Sequence, residues 1–295
     1  MRLLTFKTED GIERAGALVA GGGIVGLDGL GHQSVLALVQ AGDEARSEVA
    51  ASLEIAVPQW RLGEDGVRLC PPIPQTPRNL FCVGVNYRSH FDEGDRPEGM
   101  TVPEAPVIFT KPWTCLVGDG ATVPIDRQAT QRLDWEAELA VVIGRRGRNL
   151  SPEAAMDHVY GYTLANDVSA RDLQLEHGMA GQWFKGKSLD GCCPLGPTLV
   201  TADEIGDYRD LRVTLSVNGE LKQDFVAADM VNDVGRIIAR LSLGMELLPG
   251  DVVLTGTAAG VGHWRKPPQF LHGGDVVRIE CEQLGSLTTT FVEGQ

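Results

Sequence analysis

From residue 80 onward, the apolar residues of this sequence come in short runs that are rich in β-branched side chains and bounded by Gly, Pro, Asn or Asp. Such runs are typical of β-strands. They predict strands over residues 80–85, 106–110, 136–143, 211–217, 252–255, 276–281 and 287–292. Helices are fewer and are predicted over 152–158, 170–175 and 230–242. Asn218-Gly219 predicts a two-residue hairpin turn into a strand over 221–225. The pattern indicates a mostly β, α+β fold rather than strict βαβ alternation.

The first part of the chain has a different character. Residues 1–70 are predicted to form a small N-terminal α/β domain, with short strands over 15–20 and 24–27 and a helix over 34–51. A proline-rich stretch over 71–77 then predicts a stiff linker. The expected domains are therefore 1–70 and 71–295.

One motif in this N-terminal part imitates a nucleotide site. Gly21-x-Gly23-x-x-Gly26 matches the dinucleotide-binding fingerprint. That fingerprint requires a helix to begin directly after it, because the helix N-terminus holds the phosphates. The following residues are Leu-Asp-Gly-Leu-Gly, which do not begin a helix. A glycine-rich hairpin is the better interpretation.

Charge and composition exclude several classes of partner. The net charge of −14 and the pI of about 4.8 argue against nucleic acid or an anionic membrane as a partner. The acidic N-terminus does not resemble a secretory or organelle presequence, and no apolar run reaches about 18 residues, so a cytoplasmic location without membrane segments is expected. None of the six cysteines forms a C-x-x-C pair, which favours reduced, mostly buried thiols.

The strongest local signal for chemistry is Glu136-x-Glu138 at the start of an apolar strand. Residues two apart on a strand point to the same face, so the two carboxylates would lie side by side. Their mutual repulsion and desolvation would be relieved by a divalent cation, and oxygen ligands favour Mg²⁺, Mn²⁺ or Ca²⁺ over zinc. Taken alone, the pattern is more often explained by an edge strand with a solvated acidic face, since charged edges are common.

A second polar cluster follows the next strand-like segment. Asp167 stands at the end of that segment, where ligands can converge, although an Asp in this position is also a common helix N-cap. Arg171 and Gln174 follow within one helical turn and can reach an anion in the same pocket. Lys187 follows a glycine that would let the backbone approach a ligand, and its simpler interpretation is a surface lysine.

His90 and Glu93 form a further pair, three residues apart and on one face if the segment is helical. A carboxylate beside an imidazole fixes its tautomer and makes it a better general base. A solvated helical turn is the commoner explanation of such spacing.

Five segments, in order, resemble motifs of the fumarylacetoacetate hydrolase family, and they lie at 80–90, 134–144, 166–174, 186–188 and 255–262. The resemblance covers about residues 80–295, and the order of five motifs is far more specific than any one of them. It implies a mixed β-sandwich roll preceded by a small N-terminal domain, and a homodimer.

The resemblance also implies roles for individual residues. The implied ligands of Mg²⁺ (or Mn²⁺) are Glu136, Glu138 and Asp167. The implied catalytic residues are His90 and Glu93, which activate water, and Lys187. The implied substrate-binding residues are Arg171, Gln174 and Thr257.

The implied substrate is a small keto acid. The favoured reaction is hydrolysis of a carbon–carbon bond in an acylpyruvate or 2,4-diketo acid through a metal-bound pyruvate enolate. The same enolate also allows decarboxylation or tautomerisation of oxaloacetate, or isomerisation of a 2-hydroxy-diene dioate, and these remain as alternatives. A non-catalytic metabolite-binding protein is disfavoured because every implied ligand and catalytic residue is present.

Overall fold

The computed structural model describes residues 1–94, 101–176 and 181–294. In chain order its strands are β1 (Arg2–Lys7), β2 (Glu13–Leu18), β3 (Gly23–Gly26), β4 (Trp60–Arg61), β5 (Arg68–Cys70), β6 (Leu80–Gly84), β7 (Val107–Lys111), β8 (Leu116–Val117), β9 (Ala121–Ile125), β10 (Leu133–Asp134), β11 (Ala137–Ile143), β12 (Val159–Asn166), β13 (Ser169–Ala170), β14 (Cys193–Thr201), β15 (Arg212–Val217), β16 (Glu220–Val226), β17 (Val252–Thr257), β18 (Val276–Cys281) and β19 (Gly285–Glu293). The α-helices are α1 (Val35–Leu53), α2 (Arg88–Glu93), α3 (Pro152–Ala155), α4 (Arg171–Gln174), α5 (Trp183–Gly186), α6 (Ala202–Ile205) and α7 (Val234–Ser242). The mostly β, α+β prediction is confirmed.

Most of these strands join one twelve-stranded mixed sheet. Its order is β4-β3-β2-β1-β14-β12-β11-β17-β6-β7, with β5 beside β1 and β8 beside β14. β11 pairs with β12 and β17 in antiparallel fashion, whereas β17 and β6 run parallel. The strand that begins with the Glu136-x-Glu138 motif is thus internal, which excludes the alternative of a solvated edge strand.

A second, five-stranded sheet covers one face of the first. Its order is β16-β15-β18-β19-β9. β12 contacts β18 and β19, and β11 contacts β15, so the main core lies between the two sheets. Buried aliphatic and aromatic side chains fill it, among them Leu139, Leu164, Leu215, Ile279 and Phe291. Burial of this apolar surface is the main driving force for the arrangement, and the predicted β-sandwich roll is confirmed.

The N-terminal part is continuous with the larger sheet. β1 pairs with β14 through Arg2↔Val200 and Leu3↔Leu199. Leu3 and Leu38 share a core cluster with Leu80 and Leu195. The division at residue 70 stays a prediction, and any domain boundary there is crossed by strand pairing and by shared apolar packing.

Several local predictions are confirmed at residue level. Asn218 and Gly219 both have positive φ, 53° and 81°, as the hairpin between β15 and β16 requires. The glycine motif at Gly21 forms the β2–β3 hairpin, and the next α-helix, α1, begins only at Val35. The six cysteines are free, and five of them are buried.

Among the described helices, none has the length and apolar character needed to span a bilayer.

Two differences have clear physical causes. α7 begins at Val234 instead of residue 230, because Met230 pairs with Tyr87 in a β-bridge and Asp233 caps the helix by accepting from Arg236 N at 2.8 Å. β14 was not predicted because two prolines and a glycine interrupt it, and these residues normally argue against a strand.

Candidate metal centre and active site

Three buried carboxylates meet at the ends of two paired strands. Glu136 precedes β11, Glu138 lies within it, and Asp167 follows β12 directly. Asp167 N donates to Glu136 O at 2.9 Å, which fixes the two residues opposite each other. One oxygen from each carboxylate lies within 4.8 Å of the others, and all three residues are buried. The predicted ligand set is therefore assembled by strand pairing.

Two buried lysines hold these carboxylates. Lys187 Nζ lies 2.7 Å from Glu136 Oε2 and 2.7 Å from Asp167 Oδ2. Lys111 Nζ lies 2.7 Å from Asp167 Oδ1, and Lys111 is fully buried. Burial lowers the pKa of each lysine, but the charge of Asp167 outweighs it and raises both pKa values above their ordinary value. Asp167 therefore binds two ammonium groups and does not cap α4, and Lys187 is not a surface residue.

Gly186 explains why Lys187 reaches the site. A Cβ at Gly186 would lie 2.5 Å from Gln174 N, so only glycine lets α5 pack directly on α4. The sequence suggested that this glycine brings backbone close to a ligand. The group that approaches it is instead the backbone of Gln174.

A fourth carboxylate, Asp134, positions Arg171. Arg171 Nε donates to Asp134 Oδ2 at 2.8 Å, and Arg171 Nη2 lies 2.6 Å from Glu136 Oε1. Arg171 Nη1 also donates to Gln174 Oε1 at 3.0 Å. Burial lowers the pKa of Arg171, but Glu136 and Asp134 outweigh it and raise the pKa above its ordinary value. The guanidinium thus stays charged beside the metal centre.

Glu138 differs electrostatically from its neighbour Glu136. Burial raises the pKa of Glu136, but Lys187, Arg171 and His90 outweigh it and bring the pKa below its ordinary value. Among the described residues, Glu138 has no ion-pair partner: it accepts from Gly256 N at 2.6 Å, and burial together with the charges of Asp167 and Glu136 raises its pKa well above 4.5. Gly256 has a φ of 97°, a left-handed conformation that favours glycine.

This charge balance suits a divalent cation. If Glu138 is ionised, Asp134 and the three clustered carboxylates carry four negative charges, against three positive charges on Lys111, Lys187 and Arg171. The remaining repulsion falls on Glu138, the residue whose pKa is raised. A dication beside Glu138 would remove this repulsion, and the cluster would then have a net charge of plus one, which favours an anionic ligand. Buried all-oxygen ligands fit Mg²⁺ or Mn²⁺.

Metal binding is expected to release a proton, because the raised pKa of Glu138 favours its protonated form in the metal-free protein and the carboxyl group must ionise to bind. Apparent Mg²⁺ affinity should rise by up to about tenfold per pH unit below the raised pKa of Glu138. The same group affects stability. A carboxyl group whose pKa is higher in the folded state than the unfolded value of 4.5 contributes its full stability below pH 4.5, and that contribution is lost as the pH rises through the folded pKa. The free energy of unfolding of the metal-free protein should therefore fall with rising pH.

Calorimetry in two buffers of different ionisation enthalpy measures this proton directly. The number of protons released per Mg²⁺ should increase toward one as the pH is lowered below the raised pKa of Glu138. Equal heats in both buffers would show that Glu138 is already ionised and would contradict the expected linkage.

His90 and Glu93 meet on α2, as their spacing predicts. His90 Nδ1 lies 2.6 Å from Glu93 Oε1, and Glu93 Oε2 accepts from Gly260 N at 2.7 Å. Gly260 has a φ of 108°, and a Cβ there would lie 2.0 Å from Lys222 O. The carboxylate is therefore fixed at both oxygens, and the alternative of a freely solvated helical turn is excluded.

Most of the predicted site residues share one cavity of about 260 Å³. Its walls include His90, Glu136, Glu138, Arg171, Gln174, Lys187 and Thr257. Thr257 Oγ1 donates to Ala137 O at 2.9 Å and accepts from Gln223 Nε2 at 2.8 Å, so its hydroxyl is engaged by the protein. The roles of Thr257, Arg171 and Gln174 in substrate binding stay predictions.

Lys111 and Asp134 were missed by sequence reasoning. Lys111 ends an apolar strand directly before a proline, and Asp134 precedes the Trp135-Glu136 pair. A lysine at the end of a buried strand could have indicated a buried ion pair at Lys111, since lysine is rarely buried unless it is paired. Nothing in the sequence near either residue names its partner, because Asp167 and Arg171 lie 56 and 37 residues away.

Comparison with known proteins agrees with this geometry. Residues 79–292 match the family model described as fumarylacetoacetate (FAA) hydrolase, C-terminal. An oxaloacetate tautomerase of Bacillus subtilis is 45% identical over 223 residues, 75% of this chain and 72% of that protein. A mitochondrial oxaloacetate tautomerase of Xenopus laevis is 41% identical over 301 residues, 99% of this chain and 90% of that protein.

Solved structures extend the similarity to the whole fold. A fumarylacetoacetate hydrolase from Exiguobacterium antarcticum has a TM-score of 0.85 and 41% identity, with 100% of both chains covered. A maleylpyruvate hydrolase from Sphingobium sp. SYK-6, in complex with manganese(II) and pyruvate, has a TM-score of 0.80 and 28% identity, again with 100% of both chains covered. With its five motifs in order and a family match across most of its length, this chain belongs to the fumarylacetoacetate hydrolase family.

Proposed function

We propose that this protein interconverts the keto and enol forms of a four-carbon 2-keto dicarboxylate such as oxaloacetate. The observation that carries the proposal is the buried carboxylate cluster, of which Glu136 and Glu138 line the same cavity as His90, the partner of Glu93. Enolisation requires a metal site beside a proton-transfer group, and this combination of residues could supply both. The names of relatives at 45% and 41% identity support tautomerisation over the hydrolysis favoured from sequence.

Glu136, Glu138 and Asp167 would hold the cation, with Lys187 and Lys111 completing their surroundings. When bound, Mg²⁺ or Mn²⁺ supplies Lewis-acid polarisation of the keto acid's oxygens. The protein's own contribution is a cavity whose lysine and arginine are already charged and fixed, so stabilising an anion costs little reorganisation.

The proton is moved by His90 in this proposal. Its Nδ1 is engaged by Glu93, which leaves Nε2 to accept a proton from carbon 3 of the keto form and deliver it to the oxygen on carbon 2, giving the enol; ketonisation is the reverse transfer. Lys187 and Arg171 balance the negative charge of the enolate. No water enters the reaction, so the cavity needs only to bind, orient and transfer one proton.

Hydrolysis of an acylpyruvate remains the second candidate function. The same His90–Glu93 pair can activate water, and the manganese- and pyruvate-bound neighbour is a maleylpyruvate hydrolase. The two functions differ in the proton that His90 removes. In tautomerisation it is bound to carbon, and in hydrolysis it belongs to water.

The discriminating experiment is an assay with added Mg²⁺ or Mn²⁺ that compares enol-oxaloacetate with a series of acylpyruvates. Ultraviolet absorbance follows the loss of enol or of diketo acid in each case. Metal-dependent ketonisation faster than acylpyruvate cleavage supports the tautomerase. Acylpyruvate cleavage with no acceleration of ketonisation would replace it with the hydrolase.

Replacing His90 by Ala should lower tautomerisation by about 10²–10⁴-fold, because the proton-transfer group is lost. Metal-dependent decarboxylation of oxaloacetate should be retained, since it requires no proton transfer by His90 in the bond-breaking step. His272→Ala is the matched control, because that side chain is 70% exposed and lies at the surface. Equal loss of both reactions in His90→Ala would contradict this division of roles.

The remaining expectations concern assembly and location. The homodimer and the cytoplasmic location stay predictions from the resemblance and the sequence. Light scattering coupled to size-exclusion chromatography tests the homodimer.

A further inference from the structure

One part of the cavity wall has no role in the reaction proposed above. His263 and Trp264 line the same cavity as the carboxylate cluster. They follow the glycine-rich segment that ends β17, in a turn where Gln269 N donates back to Gly262 O at 3.0 Å. Trp264 and Phe270 pack around the imidazole, with ring centroids 4.4 and 6.4 Å away.

Asp134 fixes this turn relative to the metal centre. His263 N donates to Asp134 Oδ2 at 2.9 Å, and Gly262 N donates to Asp134 Oδ1 at 2.7 Å. The same carboxylate accepts from Arg171, whose Nη2 contacts Glu136. His263 is thus connected to a metal-ligating residue through one carboxylate and one guanidinium, and its distance from the centre is set by rigid contacts.

The imidazole itself is incompletely satisfied. His263 Nδ1 is buried and has no hydrogen-bond partner among residues 1–94, 101–176 and 181–294. An N–H group buried without an acceptor is costly, so the unpaired Nδ1 favours the tautomer that carries its proton on Nε2. Nε2 is then the donor that His263 has to offer a ligand in the cavity. Packing by two aromatic rings holds the imidazole in place without using its polar atoms.

The surroundings of His263 favour an anion over a cation. Burial lowers the pKa of His263, and the nearby charges of Arg171 and Arg132 lower it further against the opposing charge of Asp134. A neutral imidazole still offers one N–H donor. Asp134 is already engaged by Arg171 and by three backbone N–H groups, those of Trp135, Gly262 and His263, so it presents little free negative charge.

We infer that His263 is a specificity-determining residue, which donates a hydrogen bond to the distal carboxylate of a 2-keto dicarboxylate whose keto acid end lies at Glu136, Glu138 and Asp167. This inference rests on the proposed function and adds that the protein selects its substrate by the distal carboxylate. A site that hydrogen-bonds a substrate group discriminates strongly against an analogue lacking it, because the site's own polar atom is left unpaired. Monocarboxylic keto acids are the disfavoured analogues here.

The test compares oxaloacetate with 2-oxobutanoate, which has a methyl group in place of the distal carboxylate. Deuterium exchange at carbon 3, followed by NMR with Mg²⁺ present, measures enolisation of both substrates. The variant His263→Phe keeps an aromatic ring between Trp264 and Phe270 but cannot donate. It should reduce the preference for oxaloacetate, expressed as the ratio of the two kcat/KM values, by about ten- to a hundredfold.

His263→Gln provides the conservative comparison, because its amide can still donate and should retain more of the preference than His263→Phe. Thermal unfolding of both variants checks that the turn is intact. A preference that survives in His263→Phe, or one that falls equally in both variants, would overturn the assignment.

Binding measured without turnover separates this inference from the proposed function. Calorimetry with Mg²⁺ compares malate with 2-hydroxybutanoate, which do not enolise. If the wild-type protein prefers malate and His263→Phe does not, the residue selects dicarboxylates even where no tautomerisation is found. If wild type binds both equally, the inference fails, whatever the outcome of the tautomerase assay.

Discussion

Glu138→Gln is expected to leave the metal-free protein folded and at least as stable as the wild type, while Mg²⁺ binding and activity are lost. Glu138 has a raised pKa and forms no ion pair within the part of the chain that the structure describes; it accepts a hydrogen bond from Gly256 N, as a glutamine oxygen also can. The neutral amide therefore reproduces the protonated carboxyl in shape and charge. It also removes the like charge beside Asp167 and Glu136.

The effect on activity should be large because the amide is a poor replacement for a charged oxygen ligand. Lewis-acid catalysis contributes several kcal/mol of transition-state stabilisation, so its loss corresponds to roughly a thousandfold or more in rate. Calorimetric titration with Mg²⁺ and the enol-oxaloacetate assay measure the two losses separately. Binding of Mg²⁺ within about tenfold of the wild-type affinity would exclude Glu138 as a ligand.

Glu136→Gln is the matched comparison, since it makes the same chemical change two residues earlier in the chain. Glu136 pairs with both Lys187 and Arg171, so its neutralisation leaves buried cations partly uncompensated. A loss of about 3–5 kcal/mol in the free energy of unfolding is expected. Urea unfolding of the two metal-free variants should therefore separate them clearly, although both lose metal-dependent activity.

The contrast between these two residues shows what the sequence could and could not predict. Their identity and spacing predict a shared carboxylate site, and the structure confirms that the oxygens converge with one from Asp167. The sequence cannot say which carboxylate is charged in the metal-free protein. That property depends on Lys187 and Arg171, which reach Glu136 from α5 and α4 and leave Glu138 with a backbone N–H.

The strands of the fold, too, could be predicted only in part from the sequence. Strands such as Val276–Cys281 were predicted at their observed bounds, because they alternate apolar and polar residues and are flanked by turn residues. Two strands that join the N-terminal part to the rest were not predicted. β14 carries Pro194, Gly196 and Pro197, and β1 is a short segment at the chain start whose partner lies about 200 residues away. Long-range pairing leaves no local pattern.

Lys111 illustrates the same limit inside the site. Its strand was predicted to end at residue 110, and the lysine was left outside it. The observed strand includes Lys111, with its ammonium fully buried against Asp167 and Val168 O. Lys111 does not line the cavity, so its contribution is to hold Asp167 and balance its charge.

Replacement of Lys111 by Met is therefore expected to destabilise the metal-free protein by about 3–5 kcal/mol, because it leaves part of the charge of a buried carboxylate uncompensated. The methionine side chain preserves most of the volume, so the loss reports charge rather than packing. Lys7→Met is the surface control: its ion pair with Glu13 spans 3.6 Å between half-exposed side chains and should contribute less than about 1 kcal/mol. Urea unfolding of both variants gives the comparison.

Two further measurements identify the origin of the loss. In Lys111→Met combined with Asp167→Asn, the destabilisation should be smaller than the sum of the single effects, by an interaction energy of about 0.5–3 kcal/mol. Mg²⁺ should restore part of the stability of Lys111→Met alone, since a dication at Asp167 replaces the lost positive charge and binds only the folded state. Additive single effects, together with no rescue by Mg²⁺, would show that Lys111 stabilises the protein independently of Asp167. Restoration by the metal would instead place Lys111 and the cation in the same electrostatic balance, with the lysine holding the carboxylate ready before the ion arrives.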